Sequence, residues 1–170
     1  MRLTYRFIIL LALGAVPLLF VGVAPWLLSA VLIYNGLLAA CAVADFLASP
    51  KLEKALTLER RVDDKLSLGT SNPVTLEARN ISGQSLTVKF RDLPPSTFEL
   101  DKPAEGTLLL PPDPRPIQYT YQATPPPKGD FKFGDLYVQY PGRLGLILRQ
   151  GSLTAVRSVK VYPNLVETAK

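Results

Sequence analysis

Residues 7–44 contain no Asp, Glu, Lys, Arg or His, and this uncharged run decides most of what the chain can become. As one straight helix, rising about 1.5 Å per residue, it would be roughly 57 Å long, nearly twice the bilayer core of about 30 Å. A single crossing would leave a long apolar segment in water. Two crossings fit, one over about residues 7–23 and one over about residues 26–46. Pro25 supplies the break, because it has no amide hydrogen and disfavours helical geometry at Ala24. Trp26 next to it suits the lipid–water interface. The rival is a signal peptide followed by a single anchor. It fits less well, since the apolar core is too long and no small-residue cleavage site precedes Pro25.

Positive charge sets the expected orientation. Arg2 and Arg6 precede the first span, Lys51, Lys54, Arg60 and Arg61 follow the second, and the turn between has none. Both flanks are therefore expected in the cytoplasm, and residues 51–170 with them. Asp45 is the one acid near the membrane. Intramembrane acids can mark ion pathways, but this one falls at the cytoplasmic end of its span and is expected to reach the headgroups. Of the 19 basic residues 17 lie after Pro50, as do 13 of the 14 acidic ones, a mild basic excess that membrane proximity accounts for. No dense basic patch interleaves with aromatics, which excludes a nucleic-acid role. Cys41 is the only cysteine and lies in the second span, so no disulfide joins the rest.

After Pro50 the apolar period becomes two, the mark of strands with one buried face. Leu56, Leu58 and Val62 alternate with Thr57, Glu59 and Arg61; Val74, Leu76 and Ala78 with Thr75, Glu77 and Arg79; Leu86, Val88 and Phe90 with Thr87, Lys89 and Arg91; Ile117, Tyr119 and Tyr121 with Gln118, Thr120 and Gln122. Further strands are expected at 131–133, 136–140, 144–148 and 156–162, with a bulge or turn at Gly134. The segment 80–83 is short enough for a hairpin. Ten of the 16 prolines fall between Pro94 and Pro127 and predict extended loops and edge segments. Seven or eight short strands predict an antiparallel immunoglobulin-like β-sandwich over 51–170, after a two-span helical hairpin over 1–50. Its core should include Leu58, Leu76, Val88, Phe90, Tyr119, Tyr121 and Val138.

Catalytic residues are scarce. There is no histidine anywhere in the chain, which removes imidazole acid–base work, Ser-His triads and most zinc sites. Cys41 in lipid reads as a small apolar filler, and the adjacent Asp63 and Asp64 as a solvated turn. No phosphate-binding Gly-Lys loop and no clustered acids are present, so no catalytic residue, metal ligand, cofactor or nucleotide hydrolysis is expected. GRLG at 142–145 has the spacing of a KH-domain loop, yet without flanking helices it reads as a β-turn or bulge. Asn80-Ile81-Ser82 matches the glycosylation pattern but reads as a turn in a cytoplasmic domain. PPDPRP at 111–116 reads as a stiff loop rather than a polyproline ligand.

The order of features, RRVDDKLSLGTSNPVTLEARN, RDLPP, YTYQATPPPKGDFKFGDLYV, RLGLILRQ and VKVYP after a short hairpin, resembles the amino-terminal region of the bacterial domain-of-unknown-function 58 family. On that pattern Arg60 and Gly69 flank a first hairpin, Asn80 closes the second strand, and Asp92 with Pro94 ends the third. Gly129, Phe131 and Gly134 match an Arg-Gly-x-Phe-x-Phe-Gly stretch, with Lys128 in place of arginine. Leu144, Gly145 and Leu146 match Pro-Leu-Gly-Leu, with Arg143 in place of proline, and Val161, Tyr162 and Pro163 match the end of the sandwich. Full members continue into a von Willebrand factor A-like domain with a candidate metal site. The chain is thus expected to be a fragment or a truncated product. The resemblance implies a bacterial inner-membrane protein that works with a MoxR-type AAA+ ATPase to assemble or activate other proteins.

Two functions are expected to compete. One is a membrane-anchored, non-enzymatic scaffold. The other is a cell-envelope ligand-binding sandwich facing outside. In either, the variable loops on a rigid frame would dock a partner, with Asp92, Pro94, Lys128, Gly129, Arg143 and Gly145 as the candidate docking residues.

Overall fold

A computed structural model describes residues 2–126 and 129–162; Pro127, Lys128 and Pro163 lie outside the described residues. In chain order the elements are β1 (Arg2–Leu3), α1 (Tyr5–Ala15), a 3₁₀ turn (Val16–Phe20), α2 (Trp26–Ala48), α3 (Leu52–Ala55), β2 (Leu56–Arg61), β3 (Lys65–Ser67), β4 (Asn72–Asn80), β5 (Leu86–Arg91), β6 (Glu99–Leu100), β7 (Glu105–Leu110), β8 (Ile117–Thr124), β9 (Gly129–Phe133), β10 (Leu136–Pro141), β11 (Ile147–Leu153) and β12 (Arg157–Tyr162). They form two compact units. The first comprises Met1–Leu52 with Tyr140–Gln150, the second Glu53–Gln139 with Gly151–Lys170. The boundary expected at 50/51 is therefore crossed by the strip 140–150, which belongs with the helices.

In the first unit, Thr4 caps α1 by accepting from the Phe7 amide at 3.3 Å. The α-helical part of the expected first span stops at Ala15 rather than running to 23. Pro17 explains it: with no N–H and a ring that clashes one turn back, it converts the next turn to 3₁₀ geometry. The chain then reverses through a tight turn in which the Val23 and Ala24 amides both donate to the Phe20 carbonyl, and Pro25 precedes α2. Among the described residues only α2 is long and apolar enough by itself to cross a membrane; 5–20 forms a shorter apolar helical stretch. The two helices meet at Gly14, where an added Cβ would lie 2.2 Å from the Tyr34 ring. Small residues allow this kind of close approach between helices in lipid. The Tyr34 hydroxyl donates to the Leu10 carbonyl at 3.0 Å.

The second unit is built of β-sheets in the manner of an immunoglobulin-like sandwich. One sheet has the order β2-β4-β8-β6, and a second has β3-β12-β9. β5 pairs antiparallel with β10, Phe90 opposite Val138, and with β7, Phe90 opposite Gly106. The alternation expected for β2, β4, β5 and β8 holds in outline: Leu58, Leu76, Val88, Phe90, Tyr121 and Val138 are buried. Tyr119 is only partly buried, packed edge-on to Phe90 at 4.9 Å with its hydroxyl donating to the Pro103 carbonyl.

Several expectations fail here. The sandwich is not wholly antiparallel, because β3 and β12 run parallel, Lys65 beside Lys160. Arg60 and Gly69 flank no hairpin: β2 pairs with β4 while β3 leaves to join β12. Residues 80–83 are likewise no hairpin, since β4 pairs with β2 and β8 and β5 with β7 and β10. Asn80 holds this crossover, its Nδ2 donating to the Gln84 and Pro111 carbonyls and its Oδ1 accepting from the Ser82 amide. The Asn80 side-chain nitrogen is thus engaged within the crossover itself. The proline-rich region contains a full strand, β7, with Leu108 and Leu110 inward and Thr107 and Leu109 outward. Finally, the strand expected at 144–148 begins only at Ile147, because 142–146 are held in a turn.

Candidate functional site

The most elaborated polar site in the first unit centres on Asp45, in the last turn of α2. It does not reach outward to headgroups as expected; it is fully buried, 0% exposed. Its Oδ1 accepts from the Leu144 amide at 2.8 Å, and its Oδ2 from the Leu146 amide at 2.9 Å and the Ile147 amide at 3.2 Å. Ser49 closes α2 by donating its hydroxyl to the Asp45 carbonyl at 2.6 Å, and the same oxygen accepts from the Arg143 amide at 3.0 Å. The turn itself is shaped for this contact. Gly145 has φ +71°, in the left-handed region. At Gly142 an added Cβ would sit 2.6 Å from the carboxylate oxygens.

The same turn is held from its other side by α1. The Thr4 amide donates to the Leu146 carbonyl at 3.0 Å, and the Thr4 hydroxyl to the Gly145 carbonyl at 2.7 Å. β1 pairs with β11, Arg2 beside Leu148. Arg149 donates to the Phe46 carbonyl near the end of α2 and stacks over the Phe46 ring, 4.5 Å from its centroid, as a cation at a helix C-terminus should. The Tyr140 hydroxyl donates to the Pro50 carbonyl at 2.9 Å, and burial raises its phenol above the ordinary range. Chemically Asp45 is a latch. Its oxygens accept from the backbone amides of the turn, so both are engaged in holding it.

In the second unit the buried polar centre is Arg60 with Asp92, whose side chains are 2% and 0% exposed. The guanidinium donates from Nε to Asp92 Oδ2 at 3.0 Å and from Nη2 to Oδ1. Its remaining donors go to the Ala155 carbonyl at 2.7 Å and the Gly134 carbonyl at 2.8 Å. It also lies over the Phe133 ring, 5.0 Å from the centroid. The Tyr121 hydroxyl donates to Asp92 Oδ2 at 2.7 Å; burial first, and the neighbouring Asp92 second, push its phenol far above the ordinary value. Every polar atom of the centre is satisfied within the fold, which marks it as structural.

The expected docking residues are divided between the two units. Asp92 is a core residue, unavailable to a partner, and Pro94 beside it is half-buried. Gly129 is a ladder position of β9, opposite Val161. Lys128 lies outside the described residues. Arg143 is exposed and Gly145 half-buried, both on the Asp45 turn. An open groove of about 530 Å³ runs over β3, β12 and β9, lined by Lys65, Lys132, Lys160, Asp64, Asp130 and Tyr162 among others. Asp64 there holds Arg157 at 2.8 Å, and that hydrogen bond draws its carboxyl below the ordinary range. Among the described residues no group of three or more His, Cys, Asp or Glu side chains could hold a metal ion.

Comparison with known proteins bears on the fold. Part of an Escherichia coli alpha-2-macroglobulin, spanning domain MG7 to the C-terminus, superimposes with a TM-score of 0.53 at 14% identity; the match covers 68% of this chain and 17% of that one. A CARDB domain from Pyrococcus furiosus, solved with di-metal ions, gives a TM-score of 0.46 at 15% identity over 69% of this chain and 97% of that one. The first likeness supports an immunoglobulin-like β-sandwich and carries no further. No family model matches the chain, and no curated protein matches it in sequence.

Proposed function

We propose that the chain is a membrane-anchored, non-enzymatic interaction module whose two apolar helical segments both cross the bilayer and whose β-sandwich unit stands on the cytoplasmic side. The surface of α2 carries the reading. Leu28, Leu32, Ile33, Leu37, Val43 and Leu47 are all exposed on a helix about 35 Å long. The core helix of a water-soluble protein would have these side chains covered, whereas lipid covers them at no cost. The first segment is short for a span only if read as pure α-helix. With its last five residues in 3₁₀ geometry, which rises about 2.0 Å per residue, 5–20 extends about 27 Å, close to the hydrocarbon thickness. The basic residues at both ends of the hairpin, and none in its turn, favour cytoplasmic termini.

The partner follows from the resemblance to the domain-of-unknown-function 58 family: a MoxR-type AAA+ ATPase, with a von Willebrand factor A-like domain completing the assembly at a bacterial inner membrane. A non-enzymatic role is supported by the absence of histidine from the whole sequence and by the saturated hydrogen bonding of the buried carboxylates Asp45 and Asp92. Photo-crosslinking in native membranes from the exposed positions Arg143, Leu109 and Lys132 tests this reading. Adducts with an AAA+ ATPase support it. Adducts confined to proteins of the outer envelope replace it with the outward-facing ligand-binding alternative.

A further inference from the structure

The first unit has an unusual division of charge. Its residues include five cations, Arg2, Arg6, Lys51, Arg143 and Arg149, and one acid, Asp45. The acid is sealed inside the latch, and Arg149 is committed to the end of α2. Arg2, Arg6, Lys51 and Arg143 are exposed, and among the described residues none of them is ion-paired. The latch brings two of them together, Arg6 and Arg143. An added Cβ on Gly145 would lie 3.4 Å from the Arg6 guanidinium, so Arg6 lies against the turn that presents Arg143. The turn also presents Leu144, 57% exposed, and Leu3 and Tyr5, on either side of Thr4, are exposed as well. An exposed leucine flanked by unpaired arginines suits neither water nor hydrocarbon alone; it suits the boundary between them.

We infer that the 142–145 turn is a lipid-binding element: Arg143 and Arg6 engage the phosphates of anionic phospholipids in the cytoplasmic leaflet, while Leu144 enters the top of the acyl region. The inference rests on the membrane reading above, because Thr4 and Asp45 fix the turn to the ends of both helical segments. If those segments cross the bilayer, the turn lies at headgroup depth. It then explains why a buried carboxylate receives backbone amides from this turn. A turn that inserts a side chain into lipid must be held rigid, and Asp45 fixes its amides while the guanidinium groups stay outside. Each cation near an anionic leaflet favours acidic over zwitterionic lipid by about fivefold.

Trp26, the only tryptophan, starts α2, at the end opposite Asp45, and so serves as an internal reporter of insertion. The test uses the full chain in nanodiscs of phosphatidylcholine and phosphatidylglycerol, either lipid carrying bromine near the top of its acyl chain. The native chain reports Trp26, and W26F/L144W reports the turn. The expected result is quenching of both tryptophans, with the Trp introduced at 144 quenched preferentially by brominated phosphatidylglycerol. Adding R6Q or R143Q should lower that preference by about fivefold each, while R115Q, at an arginine outside this unit, should leave it unchanged. Quenching of Trp26 without quenching at 144 overturns the turn's insertion and leaves the membrane reading standing. Absence of both overturns the membrane reading and the inference together. An equal loss of preference in R115Q would reduce the effect to net charge and overturn the site.

Discussion

Replacing Arg60 by methionine should destabilise the β-sandwich severely. The substitution keeps most of the stem's volume but removes every donor to Asp92 except the Tyr121 hydroxyl. It leaves the carboxylate buried without its counter-charge and strips the Gly134 and Ala155 carbonyls of a donor. Breaking a buried pair on one side typically costs about 3–5 kcal/mol, because the abandoned charge keeps its desolvation penalty without compensation. For a unit of this size that corresponds to a fall in Tm of about 12 °C or more. The full chain in detergent, followed by the near-ultraviolet circular dichroism of its tyrosines, provides the melting curve. The double variant R60M/D92L should recover much of the loss, since apolar replacement of both partners removes the uncompensated charge. A Tm within about 3 °C of the native value for R60M alone would refute the reasoning, because it would mean that Asp92 is solvated.

Phe90→Ala should cost about 3–5 kcal/mol: the ring is buried between Tyr119 and Gly106, where nothing is placed to fill the gap, and an unchanged Tm would show that this face is not the core. Asp45→Asn should loosen the 142–147 turn, since the amide turns an NH₂ group toward backbone N–H donors and leaves at least one of them without an acceptor, at about 1–3 kcal/mol; faster hydrogen exchange confined to Leu144, Leu146 and Ile147 is the expected readout. With no histidine to titrate, stability should be flat from about pH 5 to 8. Glu77 is held below its ordinary 4.5 by the Arg79 hydrogen bond, against its desolvation and with Arg61 assisting. Its contribution is therefore present above that value and lost as pH falls through the lower folded one. Tyr121 and Tyr140 are raised above 10.0, so the folded state keeps protons that the unfolded chain releases, and stability should fall again above about pH 10. A Tm-against-pH curve with a step near neutrality would contradict the flat range, and constant stability above about pH 10 would contradict the tyrosine assignment.

Much of this was written plainly in the chain. The uncharged run and its break at Pro25 gave the reversal of direction, and the period-two positions gave the buried faces of β2, β4 and β5. The Arg60–Asp92 pair was also legible, although its signal is easy to pass over. Arg60 occupies the inward phase of Leu58 and Val62, and Asp92 that of Val88 and Phe90, so two opposite charges point into one core. Asp45 could have been found likewise, because it shares a helical face with buried Val31, Leu38 and Ala42. Pro17 carries enough information to end α1 early. What local pattern could not reveal is non-local. The parallel pairing of β3 with β12 joins residues nearly a hundred positions apart. Nothing near 144 announces that its amide seeks the carboxylate of Asp45. β7 was hidden because prolines on both sides suggested loop, although Gly106 to Leu110 lies between them without one.

The central claim is that both apolar segments cross the membrane and return the chain to the cytoplasm, and a pair of carboxyl-terminal fusions tests it most directly. Alkaline phosphatase folds to its active form only outside the cytoplasm, and a standard green fluorescent protein becomes fluorescent only inside it. The account predicts an inactive phosphatase and a bright fluorescent fusion, both recovered in the membrane fraction. An active phosphatase with a dark fluorescent fusion would mean one crossing, with the β-sandwich outside, and would contradict the account at its base.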